Sequence, residues 1–146
     1  MSHSPIIFSI EGNIGSGKST LVSLLQKTNK LNFNRKIIYL QEPVALWDTI
    51  RDENGKTMLE KFYLNQEQYA FSFQMMAYIS RTAQLREVIR KNPRSIILTE
   101  RSVYTDKNVF AKMLYDDKKI EKVNYTIYLK WFDEFIQDIP LNGIIY

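Results

Sequence analysis

Apolar residues follow two rhythms along this chain. Short apolar runs bounded by polar or turn-forming residues read as strands: Pro5-Ile6-Ile7-Phe8-Ser9-Ile10, Lys36-Ile37-Ile38-Tyr39-Leu40, Ser95-Ile96-Ile97-Leu98-Thr99 and Gly143-Ile144-Ile145-Tyr146. Between them, apolar positions recur at helical spacing. Leu21, Leu24 and Leu25 give an apolar face to a helix after the first strand. A turn at Asn54-Gly55 leads into a long helical region. Its main helix runs from near Gln66 to just before Pro93, because the residue ahead of a proline is pushed out of helical geometry. Tyr69, Phe73 and Met76 on this helix read as core. Two further helices are predicted, from about Tyr104 to Tyr115 and from Lys119 to Asp138. The alternation of strands and helices predicts an α/β fold, a parallel sheet flanked by helices. A strand as the last element leaves a face and an edge to be covered, so a missing C-terminal segment is the expectation. The alternative is a terminal edge strand covered by the preceding helices or by a partner subunit.

Composition narrows the class. At 146 residues and 45% hydrophobic, the chain is expected to form one domain, 1–146. Twenty Lys+Arg against 16 Asp+Glu leave a formal charge of +4, a mild excess without a basic block, so no nucleic-acid partner is expected. There are no cysteines, which excludes disulfides and thiolate metal sites and fits a reducing, cytoplasmic setting. No apolar run approaches membrane-spanning length, Met1-Ser2-His3-Ser4 is too short for a targeting signal, and His3 is given no role.

The strongest chemical signal follows the first strand. Gly12-Asn13-Ile14-Gly15-Ser16-Gly17-Lys18-Ser19-Thr20 fits the phosphate-binding loop, Gly, four residues, Gly-Lys-Ser. Glycines let the backbone wrap an anion so that successive N–H groups point at phosphate oxygens. Lys18 adds a mobile positive charge and Ser19 a hydroxyl for Mg²⁺, while the helix that begins there turns its positive end to the anion. The strand–loop–helix setting separates this from a chance Gly/Ser turn.

In open α/β sheets ligands sit at the carboxyl ends of the strands, and the next two strands also end in charge. Glu42 follows the second strand and precedes Pro43. It reads as a general base for an attacking hydroxyl, or otherwise as a glutamate capping a loop. Glu100 ends the third strand, where a carboxylate would hold Mg²⁺ directly or through water, and Arg101 beside it could stabilise charge on a transferring phosphoryl group. The alternative is a structural Glu–Arg pair. On the long helix, Gln74, Ala77 and Arg81 lie at i, i+3 and i+7, within about 60° of one another, a plausible floor for reading a planar heterocycle. A solvated helix face has the same pattern.

Taken together these segments resemble the deoxynucleoside kinases of the deoxycytidine/deoxyguanosine kinase type. The resemblance rests on Ser9 to Thr20, Glu-Pro-Val-Ala-Leu-Trp (Glu42 to Trp47), Phe-Ser-Phe-Gln (Phe71 to Gln74), Ser80-Arg81, Glu-Arg-Ser-Val-Tyr-Thr-Asp (Glu100 to Asp106) and the fourth strand. It implies a P-loop kinase fold and transfer of the γ-phosphoryl group of ATP, or another nucleoside triphosphate, to the 5′-hydroxyl of a deoxynucleoside in nucleotide salvage. It implies Glu42 as base, Lys18 and Arg101 on the phosphoryl group, Ser19 and Glu100 serving Mg²⁺, and Gln74 on the base edge. Phe110 would stack on the base, Trp47 would wall the pocket, and Tyr63 would meet the sugar 3′-hydroxyl; core aromatics are the alternative for these three. The Arg81/Asp106 pair implies deoxycytidine or purine deoxynucleosides rather than thymidine. Helices after Asp106 would form a homodimer. The family continues past the fourth strand into an arginine-bearing lid, a fifth strand and an adenine-contacting loop that have no counterpart in these 146 residues. Leu141-Asn142-Gly143 departs from relatives that often carry an acidic residue there. Two competing functions remain: a catalytically impaired nucleotide-binding fragment and a nucleoside monophosphate kinase of the thymidylate type. A GTPase is disfavoured, since no Asn-Lys-x-Asp motif occurs.

Overall fold

The apolar runs form four strands in a computed structural model that describes residues 4–28 and 34–146; His3 lies outside the described residues. β1 (Ile6–Ile10), β2 (Ile37–Leu40), β3 (Ile96–Glu100) and β4 (Gly143–Ile145) make one parallel sheet in the order β2-β3-β1-β4. The helices are α1 (Lys18–Thr28), α2 (Val44–Trp47), α3 (Met58–Leu64), α4 (Gln66–Lys91), α5 (Val103–Thr105), α6 (Lys112–Asp116) and α7 (Lys122–Ile136). A π-helical turn (Asp106–Ala111) separates α5 from α6. These elements divide into two compact units. One comprises Met1–Glu42, Gln84–Ser102 and Ile139–Tyr146; the other comprises Pro43–Ala83 and Val103–Asp138.

The first unit is the sheet with its helical cover. β1 and β3 are its interior strands, and Ile7, Ile10, Ile97 and Leu98 are buried. Ile7 and Ile97 pack with Leu85 from the C-terminal part of α4 and with Ile139, and Leu40, Val88, Ile89 and Leu141 close around them. The β1–β3 register pairs Ile10 with Glu100, so the two strands end together. β4 enters beside β1 through Asn142, whose Oδ1 accepts from the Ile7 N–H (2.7 Å) and whose own N–H donates to the Ile7 carbonyl (2.8 Å). Gly143 follows opposite Phe8. A Cβ there would lie 2.7 Å from the Phe8 ring, so the close approach of β4 requires glycine.

The second unit is helical. Tyr78, Val103, Ala111, Tyr128 and Phe132 form its main core, and Ala70, Leu114 and Ile120 a smaller one. The Asn54-Gly55 turn is present, with Gly55 at φ 81°. α3 starts with a capping box: Thr57 Oγ1 accepts from the Glu60 N–H, and the Glu60 carboxylate accepts from the Thr57 N–H.

Three local expectations are corrected. The helix predicted over 104–115 is not uniformly α-helical, because Asp106–Ala111 is a π-turn. Bonding from i to i+5 brings residues five apart onto one side, and here both Asp106 and Ala111 are buried. The last helix is also shorter than predicted, Lys122–Ile136, since Glu121 stays extended. Finally, α1 does not bury its leucine face: Val22 is fully buried while Leu21 and Leu24 are exposed. The loop dictates this rotation. Lys18 and Val22 sit at i and i+4, so turning Lys18 inward turns Val22 inward too.

Candidate active site

The side chains singled out above fall into two sets, one in each compact unit. The set in the sheet unit begins where β1 ends. Gly12 has a positive φ, and a Cβ on it would fall 2.6 Å from Ser16 Oγ, so the tight wrap of the loop needs glycine there. Lys18 is buried, and its ammonium donates to the Asn13 carbonyl at 2.6 Å and to Ser16 Oγ at 3.5 Å. It makes no ion pair with a described carboxylate, so its charge is available to an anion in the loop. Asn13, Ile14, Gly15, Ser16, Gly17, Ser19 and Thr20 are all exposed, as a loop that receives a ligand must be.

Ser19 and Glu100 are 81 residues apart in sequence, and the structure joins them: Ser19 Oγ donates to Glu100 Oε1 at 2.6 Å. Glu100 is the last residue of β3, a buried carboxylate at the end of an apolar strand. A hydroxyl and a carboxylate are hard oxygen donors that suit Mg²⁺, which binds few protein ligands and keeps several waters. The described residues contain no group of three or more potential ligands of the His, Cys, Asp or Glu kind.

Glu42 and Arg101 lie just beyond the ends of the neighbouring strands β2 and β3, with Oε1 and Nη1 3.7 Å apart and both side chains largely shielded. Arg101 has a left-handed backbone, φ 59°, uncommon for a residue with a side chain. Its N–H donates to the Ile10 carbonyl (3.0 Å), and its carbonyl accepts from Thr99 Oγ1 (2.8 Å), so hydrogen bonds hold the strained residue from both sides.

The set in the helical unit centres on one face of α4. Gln74, Ala77 and Arg81, which share this face, are all buried rather than solvated. Arg81 Nε donates to Asp106 Oδ2 at 2.9 Å, and both side chains are only 7% exposed. Gln74 Oε1 is buried without a hydrogen-bond partner among the described residues. Trp47 is buried; its indole N–H donates to Ser80 Oγ (2.8 Å) and its ring meets the edge of Phe73 at 5.8 Å. Phe73 stacks in turn on Phe62. Tyr63 stands apart from this cluster, 71% exposed with its ring tilted against Phe62. Phe110 is half-buried on the π-turn, four residues after Asp106.

One residue that positions the sheet unit carried no sequence signal. Asn142 was a neutral departure from relatives, yet its side chain anchors β4.

The parallel sheet, the loop after its first strand and the charged strand ends define a P-loop kinase fold. The chain belongs to the deoxynucleoside kinase family, whose model matches residues 8–146. It is 40% identical over 141 residues to a protein of Fowlpox virus (strain NVSL) named as a probable deoxycytidine kinase, covering 94% of this chain and 54% of that one. Human deoxycytidine kinase is 34% identical over 158 residues, with 94% and 59% covered. The mitochondrial deoxyguanosine kinase of Xenopus laevis is 30% identical over 156 residues, with 94% and 57% covered. The chain thus spans little more than half the length of these relatives.

The buried ion pair sets a stability expectation. Asp106→Ala alone strands the Arg81 charge and should cost about 3–5 kcal/mol, whereas Asp106→Ala with Arg81→Met removes both charges and should cost less than half as much. Denaturant titration of the two variants measures the difference.

Proposed function

We propose that this chain carries the phosphoryl-transfer and nucleoside-reading residues of a deoxynucleoside kinase, moving the γ-phosphoryl group of ATP or another nucleoside triphosphate to a deoxynucleoside 5′-hydroxyl in nucleotide salvage. The observation that carries this reading is the meeting of Glu42 and Arg101 at adjacent strand ends in the unit that also holds the P-loop. Glu42 takes the proton from the 5′-hydroxyl as it attacks, and Arg101 lies within 4 Å of that carboxylate, where it meets the charge that develops on the phosphoryl oxygens. Lys18 and the backbone N–H groups of residues 12–20 hold the donor phosphates. A bound Mg²⁺, which would neutralise phosphate charge, would be held by Ser19 and Glu100.

In the helical unit, Gln74 and the Arg81–Asp106 pair read the base. The buried Gln74 oxygen is an acceptor awaiting a donor, which the exocyclic amine of cytosine or adenine supplies. Arg81 is fixed by Asp106, so it presents a rigid guanidinium that crowds a 5-methyl group. Both favour deoxycytidine or a purine deoxynucleoside over thymidine. Trp47 walls the pocket, Phe110 stacks on the base, and Tyr63 reaches the sugar 3′-hydroxyl.

We further propose that the protein works as a homodimer in a cytoplasmic setting. On α7, Val123, Ile127 and Trp131 repeat at i, i+4 and i+8 and are all exposed, an apolar stripe suited to a second copy. No described helix is long and apolar enough to cross a membrane.

The test is a radiolabelled ATP assay across the four deoxynucleosides, with deoxynucleoside monophosphates as competing acceptors. Glu42→Gln keeps size and hydrogen bonding but removes basicity, so kcat should fall about 10²-fold or more with little change in nucleoside affinity. A variant of near-normal rate rejects Glu42 as the base, and preferential phosphorylation of a monophosphate rejects the acceptor class. In the same assay Arg81→Met with Asp106→Ala should shift kcat/KM towards thymidine; unchanged relative values would rule out the pair as a selector. For the stripe, Ile127→Asp should turn a dimer into a monomer in sedimentation velocity. A wild-type chain that already sediments as a monomer counts against the dimer.

A further inference from the structure

Ser80 is a buried hydroxyl in the middle of α4 that both accepts and donates a hydrogen bond. An indole N–H can only donate, so in the 2.8 Å contact between Trp47 Nε1 and Ser80 Oγ the serine is the acceptor. Its single hydrogen goes to the Met76 carbonyl one turn back, at 2.7 Å, with the Ala77 carbonyl beside it at 3.2 Å. The direction of the relay is therefore fixed from end to end: indole N–H to serine hydroxyl to helix backbone. Ser80 and Trp47 are each only 6% exposed, so water has little access to replace a lost link.

The ring that Ser80 holds gains little rigidity from its own helix. Trp47 ends α2, which has four residues and no side-chain cap at Pro43. The ring is located from α4 instead, at two points. Its N–H meets Ser80, and its plane meets that of Phe73 at 70°, centroids 5.8 Å apart. Phe73 is itself braced by Phe62 of α3, stacked at 4.8 Å. Phe73 and Ser80 lie at i and i+7, two turns along one strip of α4, about 40–60° round the helix from Ala77. That strip borders the face carrying Gln74, Ala77 and Arg81. The contact with Phe73 limits how far the indole can move sideways but tolerates rotation; the hydrogen bond is directional and does not.

We propose that Ser80 is a positioning residue for the nucleoside pocket: its hydroxyl, oriented by the Met76 carbonyl, fixes the rotation of the Trp47 indole beside the base-reading face of α4. The inference rests on the proposed role of Trp47 as a wall of that pocket and adds to it the residue that holds the wall. It also separates two tasks. Gln74 and the Arg81–Asp106 pair choose the base, whereas Ser80 sets how tightly any base is held, because a wall is met by all of them.

Ser80→Ala removes one oxygen, favours the helix by propensity and leaves the indole N–H buried without its acceptor. Dissociation constants for the four deoxynucleosides would be measured by titration calorimetry for wild type, Ser80→Ala, Ser80→Thr, Trp47→Phe and Trp47→Phe with Ser80→Ala, each checked by thermal melting. In Ser80→Ala the constant of every nucleoside that wild type binds should rise by a common factor of about 3- to 10-fold. Ser80→Thr keeps a hydroxyl able to bond the same carbonyl and should stay within about twofold of wild type. In the Trp47→Phe background, which has no indole N–H, Ser80→Ala should change nothing further. Should Ser80→Ala fail to fold, Ser80→Cys, of similar shape but a poor acceptor, takes its place in the same comparison. A lower melting temperature with unchanged constants, no rescue by Ser80→Thr, or an equal loss in the Trp47→Phe background marks a merely structural serine and overturns the inference. A change in base preference overturns it as well. If wild type binds no deoxynucleoside, the functional reading itself fails and this inference with it. If wild type binds and Ser80→Ala is silent, the functional reading stands and this inference alone falls.

Discussion

All four strands of the sheet run in one direction, and the chemistry of the sheet unit depends on that constraint. A parallel sheet gathers its carboxyl ends along one edge, so whatever follows each strand is delivered to the same side. β1 delivers the P-loop, β2 delivers Glu42, and β3 delivers Glu100 and Arg101. The register refines the delivery: Ile10 lies opposite Glu100, so β1 turns into the loop where β3 presents its carboxylate. The 2.6 Å bond between Ser19 and Glu100 is a consequence of that alignment, since neither residue has any local means of finding the other. The packing that keeps the register is ordinary, a few Ile and Leu side chains from β1, β3 and α4 with Gly143 and Asn142 drawing β4 alongside.

The helical unit meets a different constraint, charge in a dry environment. Arg81 and Asp106 are both nearly inaccessible, and such a pair gains little or no net stability after desolvation. Its place in the proposed function is therefore to specify rather than to stabilise. A guanidinium tied to a buried carboxylate cannot swing, and in the proposed function such a fixed donor array, with the Gln74 acceptor on the same helix face, would discriminate among base edges in a way that a mobile side chain would not. The π-turn belongs to the same logic. It buries Asp106 without pulling Ala111 out of the core, which a regular helix of the same sequence would not do.

What could be read in the sequence was whatever has fixed spacing along the chain. The loop pattern, the charged residues just after apolar runs, and the shared face of Gln74, Ala77 and Arg81 all follow from strand and helix periods, and each appears in the structure. What could not be read depends on partners distant in sequence. Leu21 and Leu24 matched an apolar face, but Lys18 sets the rotation of α1 and Val22 takes the buried position. Asp-Lys-Asn-Val-Phe-Ala has no composition that marks a π-turn; burial of both its ends calls for one. Asn142 looked neutral because its use, imitating a strand's backbone hydrogen bonds to Ile7, exists only once β1 is beside it.

Arg101 shows how local cost and site geometry are joined. A left-handed non-glycine backbone costs on the order of 1–2 kcal/mol, and glycine would adopt it freely. A glycine there would have no guanidinium, so the strain is the consequence of requiring a cation at a position whose backbone must turn sharply off β3. The turn is set from two sides, by the Ile10 carbonyl that accepts from the Arg101 N–H and by the Thr99 hydroxyl that donates to the Arg101 carbonyl. With both bonds made, the side chain leaves the backbone in a direction the residue would rarely choose for itself, and its Nη1 comes to 3.7 Å from Glu42. A relaxed extended residue at 101 would continue the line of β3 and carry its side chain elsewhere. The strained φ and the carboxylate contact are therefore two aspects of one requirement, a rigid cation held beside a carboxylate at the strand ends.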